Sequence, residues 1–270
     1  MADPLPEFED PPVSEMVISV QFSPLAGWQG PYAGVFWGIV KGEYPKTQVV
    51  SPLPHNDENF EELVFQQQIN LQLLKPDAQR YWFLSENGCE LIQLQADKFI
   101  VNWRQVTGHE VYPRYEPVIR PRFIKEWTRF KKFVADNDLG EIQDLQCEVT
   151  YINDIIQGKG WNSFPDSMLL FSNWVPKGTT NFLPALETLG INSTYRMPAN
   201  GGKLSFAIQH VRRQVDGKDA VQMRLVARGN PKSASDDDLL SWLDSARDWI
   251  VRGFTDLTSP LAHKLWRRTR

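Results

Sequence analysis

The side chains best equipped for chemistry are dispersed along the chain. Four histidines, His55, His109, His210 and His263, stand on four separate stretches. A helical zinc site needs two histidines one turn apart, so that both imidazoles share a face, and His109-Glu110 is followed by no second histidine. His55 with Asp57 and Glu58 has the donor types for a cation, but such a polar run beside Pro52 and Pro54 reads as a solvated loop. A cysteine nucleophile needs a base and an electropositive setting that holds the thiolate. Cys147 has Glu148 beside it and no basic neighbour, and both it and Cys89 fall in strand-like stretches where a small apolar thiol is buried. Ser163, Ser167 and Ser259 lie in no glycine elbow. Neither GxxxxGK[ST] nor GxGxxG occurs, and Gly158-Lys159-Gly160 reads as a turn. These residues imply no catalytic group, no metal site and no cofactor, and the balance leans away from an enzyme.

Basic residues make the one pattern with a plausible ligand. Lys125, Arg129 and Lys132 fall at i, i+4 and i+7, one face of a helix, and Arg267 and Arg268 close the chain in Trp266-Arg267-Arg268-Thr269-Arg270. Phosphates need such a row, and interleaved aromatics can stack on unpaired bases. Against this stands a net charge of −4 and a pI near 5.7, which gives no global attraction to nucleic acid. A solvated flank, its aliphatic stems covering an aromatic stripe, is the competing reading. Tyr151-Ile152-Asn153-Asp154 also carries polar groups, although Asn and Asp at a strand end are commonly turn formers.

The elements that must position these groups read as α+β, an antiparallel sheet with helices on one face. Residues 1–12 combine four carboxylates with four prolines and are expected to be a flexible acidic arm. A strand follows from Val13 to Phe22 and a short helix from Pro31 to Lys41. Residues 60–74 are ambiguous. From Arg80 to Trp103 the chain reads as a three-stranded meander, with Asn87-Gly88 as the two central residues of a type I′ turn. Phe99, Val101 and Trp103 alternate with Ile100, Asn102 and Arg104, so the last two point away from the apolar row. Phe123, Trp127, Phe130 and Val134 then give a helical stripe from Glu116 to Val134, closed by Asp138-Leu139-Gly140 with glycine as its left-handed cap. The second half restarts with a strand from Ile142 to Ile152, a meander within 191–228 and a helix capped at Ser235, whose stripe includes Trp242 and Trp249. Strand–helix–meander–helix thus occurs twice, at 13–138 and 141–258, which suggests two related halves, with a basic tail at 259–270.

Several blocks resemble a family of sporadically distributed bacterial proteins of about this length, to which no biochemical function is assigned. They are Pro11-Pro12-Val13-Ser14-Glu15, Phe99 to Trp103, Tyr112-Pro113-Arg114-Tyr115, Tyr151 to Ile155, Leu243 to Phe254 and Trp266. At Arg247 the family's pattern leads one to expect histidine. The resemblance implies an α+β fold and brings no site residues.

Ten tryptophans and fifteen phenylalanines are more than a core of this size needs, so some are expected at a surface meant for a partner. No stretch is apolar enough to span a membrane, no signal peptide is visible, and two cysteines make no disulfide framework, so a cytoplasmic setting is expected. The function expected is a non-enzymatic protein-interaction component, of an accessory, defence or toxin–antitoxin type of locus, with another protein as partner. The alternative is a nucleic-acid-binding protein that uses the basic helix at 120–132 and the tail.

Overall fold

A computed structural model describes residues 4–56, 58, 60, 79–172, 190–198, 201–213 and 216–270. The expected α+β architecture is present as one nine-stranded antiparallel sheet. In chain order its strands are β1 (Val13–Gln21), β2 (Lys46–Val50), β3 (Arg80–Leu84), β4 (Glu90–Gln95), β5 (Lys98–Arg104), β6 (Gln146–Ile156), β7 (Gly190–Met197), β8 (Gly202–Arg212) and β9 (Asp219–Gly229). The order across the sheet is β2-β3-β4-β5-β1-β6-β9-β8-β7. In each half the first strand pairs with the last strand of the following meander, β1 with β5 and β6 with β9, and β1 pairs with β6 across the middle. The halves at 13–138 and 141–258 therefore share a single sheet. Most of the ambiguous stretch at 60–74 lies outside the described residues.

Helices α1 (Tyr32–Val40), α2 (Arg120–Asp136) and α4 (Asp236–Leu257) bury their apolar stripes, while α3 (Phe164–Ser167) and α5 (Pro260–Leu265) are short. Period-two alternation decides which residues they cover. Met16, Ile18 and Val20 of β1, Phe99 and Val101 of β5, and Cys147 and Val149 of β6 are all sealed, at 2% exposure or less. Against them α2 presents Phe123, Trp127, Phe130 and Val134, all buried as their spacing predicts. Phe130 stacks on Phe99 at 4.7 Å, and Phe36 of α1 meets Phe133 at 5.2 Å. Each such ring contributes about 1.5–3 kcal/mol on burial, whereas an exposed ion pair contributes about 0–1, so the aromatics hold the helices on the sheet. On α4, Trp242 is buried, but Trp249 is only partly covered at the edge of the stripe. At Gly253 of α4 a Cβ would stand 2.9 Å from Leu204 Cδ2, so this turn of helix can approach the sheet only without a side chain.

The sheet's other face is polar yet not open. Asn102 donates to Glu15 at 2.6 Å, Gln93 donates to Asn102 at 2.7 Å, and Arg80 and Trp82 both donate to Gln93. Asn102 and Gln93 are buried, so these bonds replace water that burial removes.

Several local expectations are corrected. The arm is tied down rather than free from Leu5 onward: Phe8 is buried against Phe254 and Trp266, and the backbone at Glu7, Glu9 and Asp10 bonds to Arg270, Arg267 and Trp266. One large apolar side chain among the carboxylates, together with these backbone bonds, docks it. Strand β6 begins four residues later than expected and continues through Asn153-Asp154, which pair with Met223 and Gln222 rather than forming a turn. Flanking strands on both sides supply ladder partners that outweigh local turn preference. Helix α2 starts at Arg120, after a wide turn with π-type hydrogen bonding at Tyr115–Ile119. Its left-handed closing residue is Asp138 (φ 50°), since the chain reverses two residues before Gly140.

The first hairpin is also corrected. Asn87 is not in the left-handed region; only Gly88 is, at φ 72°. Ser85 O accepts from Gly88 N at 2.9 Å, so Glu86 and Asn87 are the central residues and Gly88 the residue that returns the chain to β4. A Cβ on Gly88 meets only Val106 Cγ2 at 3.6 Å, so backbone strain alone is at issue. Gly88→Val should destabilise the fold by about 1–3 kcal/mol. Denaturant unfolding checks this, and an unchanged midpoint would show that the turn is wrongly assigned.

Candidate functional site

The five residues expected as nucleic-acid contacts do not form one free basic surface. Lys125 and Arg129 both ion-pair with Glu43, and Arg129 also lies 3.2 Å from Glu126. Glu126 is wholly buried; burial raises its pKa, and the charges of Arg129 and Lys125 oppose that rise. Arg129 therefore compensates a carboxylate with no access to water. Lys132 pairs with Asp136 one turn on, Arg267 lies 3.8 Å from Glu9, and Arg268 donates to the carbonyl of Arg270. The nearby Arg120, Arg122 and Lys131 are likewise matched by Asp244, Glu90 and Asp236. This helix is laced into its surroundings by charge.

Of the set considered for a cation, His55 with Asp57 and Glu58, the described members are engaged elsewhere. His55 Nδ1 lies 2.6 Å from Asp97, Glu58 is held by Arg228 and Lys203, and Asp57 lies outside the described residues. Among the described residues no group of three or more His, Cys, Asp or Glu side chains is placed to hold a metal ion. Cys89 and Cys147 are free and buried, and burial pushes both thiols up, which suits packing rather than attack.

What the fold does assemble is a cavity of about 420 Å³ at the seam of the two halves. Its floor is the helix-covered face of the sheet, with Val13 of β1, Tyr151 and Asn153 of β6 and Leu225 of β9. One wall is α4, which presents Arg247, Ile250, Val251 and Phe254, successive turns of one helical face. The other is the loop Tyr112–Pro117, and the arm roofs it with Phe8. The arm with the start of β1, the Tyr112–Pro117 loop, β6, β9 and α4, distant in sequence, meet here because β1 and β6 are neighbours.

Its polar end is built with care. The hydroxyls of Tyr112 and Tyr151 lie 2.9 Å apart, and Tyr112 also reaches Met16 Sδ at 3.7 Å. Burial pushes both phenols up, so both stay protonated at neutral pH; for Tyr151 the bond with Tyr112 and the guanidinium of Arg247 oppose that rise. Arg247 lies over the ring of Tyr115 at 5.6 Å, and its Nε is buried with no protein acceptor. Tyr115 is itself anchored, its hydroxyl donating to Asp244, which also takes two bonds from Arg120 at 2.8 and 2.9 Å. Arg114 donates to the carbonyls of Phe8 and Glu9, and so ties the roof to the wall. Its backbone sits at φ 74°, ψ 150°, a conformation costly for a residue with a Cβ and one that clusters at ligand sites. The π-type turn that follows is another feature common at functional positions.

Comparison with family models, curated proteins and solved structures finds no match, so the cavity must be read from its own geometry. Sequence reasoning singled out the Tyr112–Tyr115 and Tyr151–Ile155 blocks without joining them, and passed over Phe8 and Arg247 as site residues. The usable signal was the alternation of Cys147, Val149, Tyr151 and Asn153, which puts Tyr151 and Asn153 on the covered face.

The basic residues should separate by role. Arg129→Gln uncovers the buried Glu126 and should cost about 1–3 kcal/mol, while Lys132→Gln should cost no more than about 0.5. Thermal unfolding measures both, and equal effects would mean that Glu126 does not depend on Arg129. Fluorescence anisotropy with labelled single- and double-stranded DNA and RNA should show no tight binding, even at low salt. Nanomolar binding that weakens steeply with salt would show that these ion pairs open to phosphate.

Proposed function

We propose that the chain is a non-enzymatic binding protein, an interaction component whose recognition element is the cavity at the seam of the sheet. The observation that carries this reading is the pairing of an apolar, roofed space with a small set of fixed polar groups: the hydroxyls of Tyr112 and Tyr151, the guanidiniums of Arg114 and Arg247 and the amide of Asn153. Recognition sites are commonly built this way, with apolar walls for affinity and few polar groups for orientation. The titratable side chains that line the cavity are tyrosines, arginines and the glutamates Glu7, Glu9 and Glu116. Tyrosines and arginines that stay protonated donate hydrogen bonds; they suit holding a molecule better than abstracting a proton from it.

A protein partner is retained in a narrower form. A cavity of this size takes one or two side chains or a small molecule, not the face of a domain. The nucleic-acid alternative has less support, because Lys125, Arg129 and Lys132 each lie against a carboxylate. The two reduced, buried thiols suit a cytoplasmic setting, and no described helix is long and apolar enough to cross a membrane. Internal duplication is proposed as the origin of the repeated strand order.

The test is to fill the cavity. A fragment library screened by ligand-observed NMR should yield binders to the full chain, and Val251→Trp should abolish their binding while circular dichroism stays native. Val251 is only partly buried, so the larger ring can enter the space from the helix without displacing the sealed core. Fragments that bind the filled variant as well as the parent would place recognition elsewhere.

A further inference from the structure

Resting on the reading of the cavity as a recognition site, we infer that its occupant is an acid with an apolar body, seated with its carboxylate against Arg247 and the hydroxyls of Tyr112 and Tyr151. Three observations converge on this chemistry. The first is Arg247. Its guanidinium lies over the ring of Tyr115, interacts with the Tyr151 hydroxyl and reaches Asp248 through Nη1 at 3.3 Å, which fixes a cation at the polar end of the cavity. A guanidinium held at the end of an apolar cavity gains most from an anionic oxygen, and a carboxylate supplies one.

The second is the tyrosine pair. Two hydroxyls 2.9 Å apart share one hydrogen bond, which leaves one of their two protons to be placed. For Tyr112 the protein offers the thioether of Met16 at 3.7 Å, a weak acceptor. An anionic oxygen between the tyrosines and Arg247 would take that proton far better. The third is charge. Of the acids that line the cavity, Glu7 is engaged by Arg270 and Glu9 lies 3.8 Å from Arg267, while Glu116 is exposed. Arg114 bonds only neutral carbonyls. The polar end therefore holds two guanidiniums, Arg114 and Arg247, against the distant charge of Glu116 and the Asp248 carboxylate behind Arg247, which disfavours an amine.

The rest of the space sets the body. Phe8, Val13, Leu225, Ile250 and Phe254 offer no hydrogen bonds from their side chains, and the volume lies at the small end of ligand cavities, which span about 300–1,000 Å³. An aryl or branched alkyl group fits these walls. The donor set, one guanidinium and the free proton of a tyrosine pair, matches the two oxygens of a carboxylate. A phosphate monoester would leave much of its charge unpaired.

The experiment is calorimetric titration of the full chain with 3-phenylpropanoate and its amide, alcohol and amine counterparts. Acetyl-Ala-Ala-Phe with a free or amidated C-terminus forms a second arm. The acid should bind at least about tenfold more tightly than the amide or alcohol, and the amine should not bind. Arg247→Gln should remove that preference and leave the amide's affinity unchanged, and Arg247→Lys should restore part of it. Binding of the free-ended peptide would assign the carboxylate to a partner's chain end, and binding of the small acid alone to a metabolite; either upholds the inference. Amide or alcohol binding as tightly as the acid would overturn it and leave the cavity reading standing. If no compound binds at millimolar concentration, both fall. The comparison of isosteres on the unaltered chain does not depend on how the variants fold.

Discussion

The antiparallel ladder between β1 and β6 is the contact through which every other part of the molecule is related. Eight residue pairs, from Val13 with Asn153 to Gln21 with Gln146, join a five-stranded half to a four-stranded one. Because side chains alternate, this register determines which residues of each half share a face. It sets Met16, Ile18 and Val20 beside Tyr151, Val149 and Cys147, and so makes one apolar surface for α2 and α4 to cover. A slip of one residue would turn Tyr151 and Asn153 to the other face and replace them with Ile152 and Asp154. Neither helix would then find its counterpart.

The seam is also where two helices cannot close completely. Helix α2 sets its aromatic stripe on Phe99 of β5 and on Phe22 just past β1, and α4 packs on β6 and β9. At one end the gap between them is spanned by the Tyr112–Pro117 loop and by the arm, not by a continuous helix. The clamp of Asp244 on Tyr115 and Arg120 fixes that loop to α4. Arg120 and Asp244 are both partly exposed, so the clamp adds little net Coulomb energy, but three hydrogen bonds converging on one carboxylate define geometry well. Position matters more than stability here, because Tyr115 is the ring against which Arg247 lies.

How much of this could be read in advance follows from the range of each interaction. The stripe Phe123, Trp127, Phe130 and Val134 was legible, since the helical period is local and each residue is large and apolar. So was the Ser235 cap, whose hydroxyl accepts from Asp238 N as expected. The end of β6 was not, because Asn153 and Asp154 behave as turn formers until both neighbouring strands are known. The arm's one large apolar anchor, Phe8, is set among acids and prolines whose composition signals disorder, and the backbone bonds that hold the arm beside it leave no mark in the sequence. The site was illegible for a further reason. Tyr112, Tyr151 and Arg247 each look ordinary on their own elements, and only the β1–β6 register brings them together.

The placement of polar groups separates the two faces of the sheet in a way that bears on function. On the face opposite the helices, Glu15, Asn102, Gln93, Arg80 and Trp82 form a closed relay in which each named donor has a named acceptor. Within this relay an incoming molecule would compete with bonds already made. On the helix-covered face, the same kinds of group at the seam stop one bond short. Arg247 Nε has no acceptor, and the tyrosine pair turns its remaining proton to a thioether. A buried guanidinium nitrogen without an acceptor also occurs at Arg122 on α2, outside the cavity, so the missing bond by itself does not mark a site. The charge of Arg247 is nonetheless kept at the edge of the cavity, where Tyr115, the Tyr151 hydroxyl and Asp248 offset part of its cost.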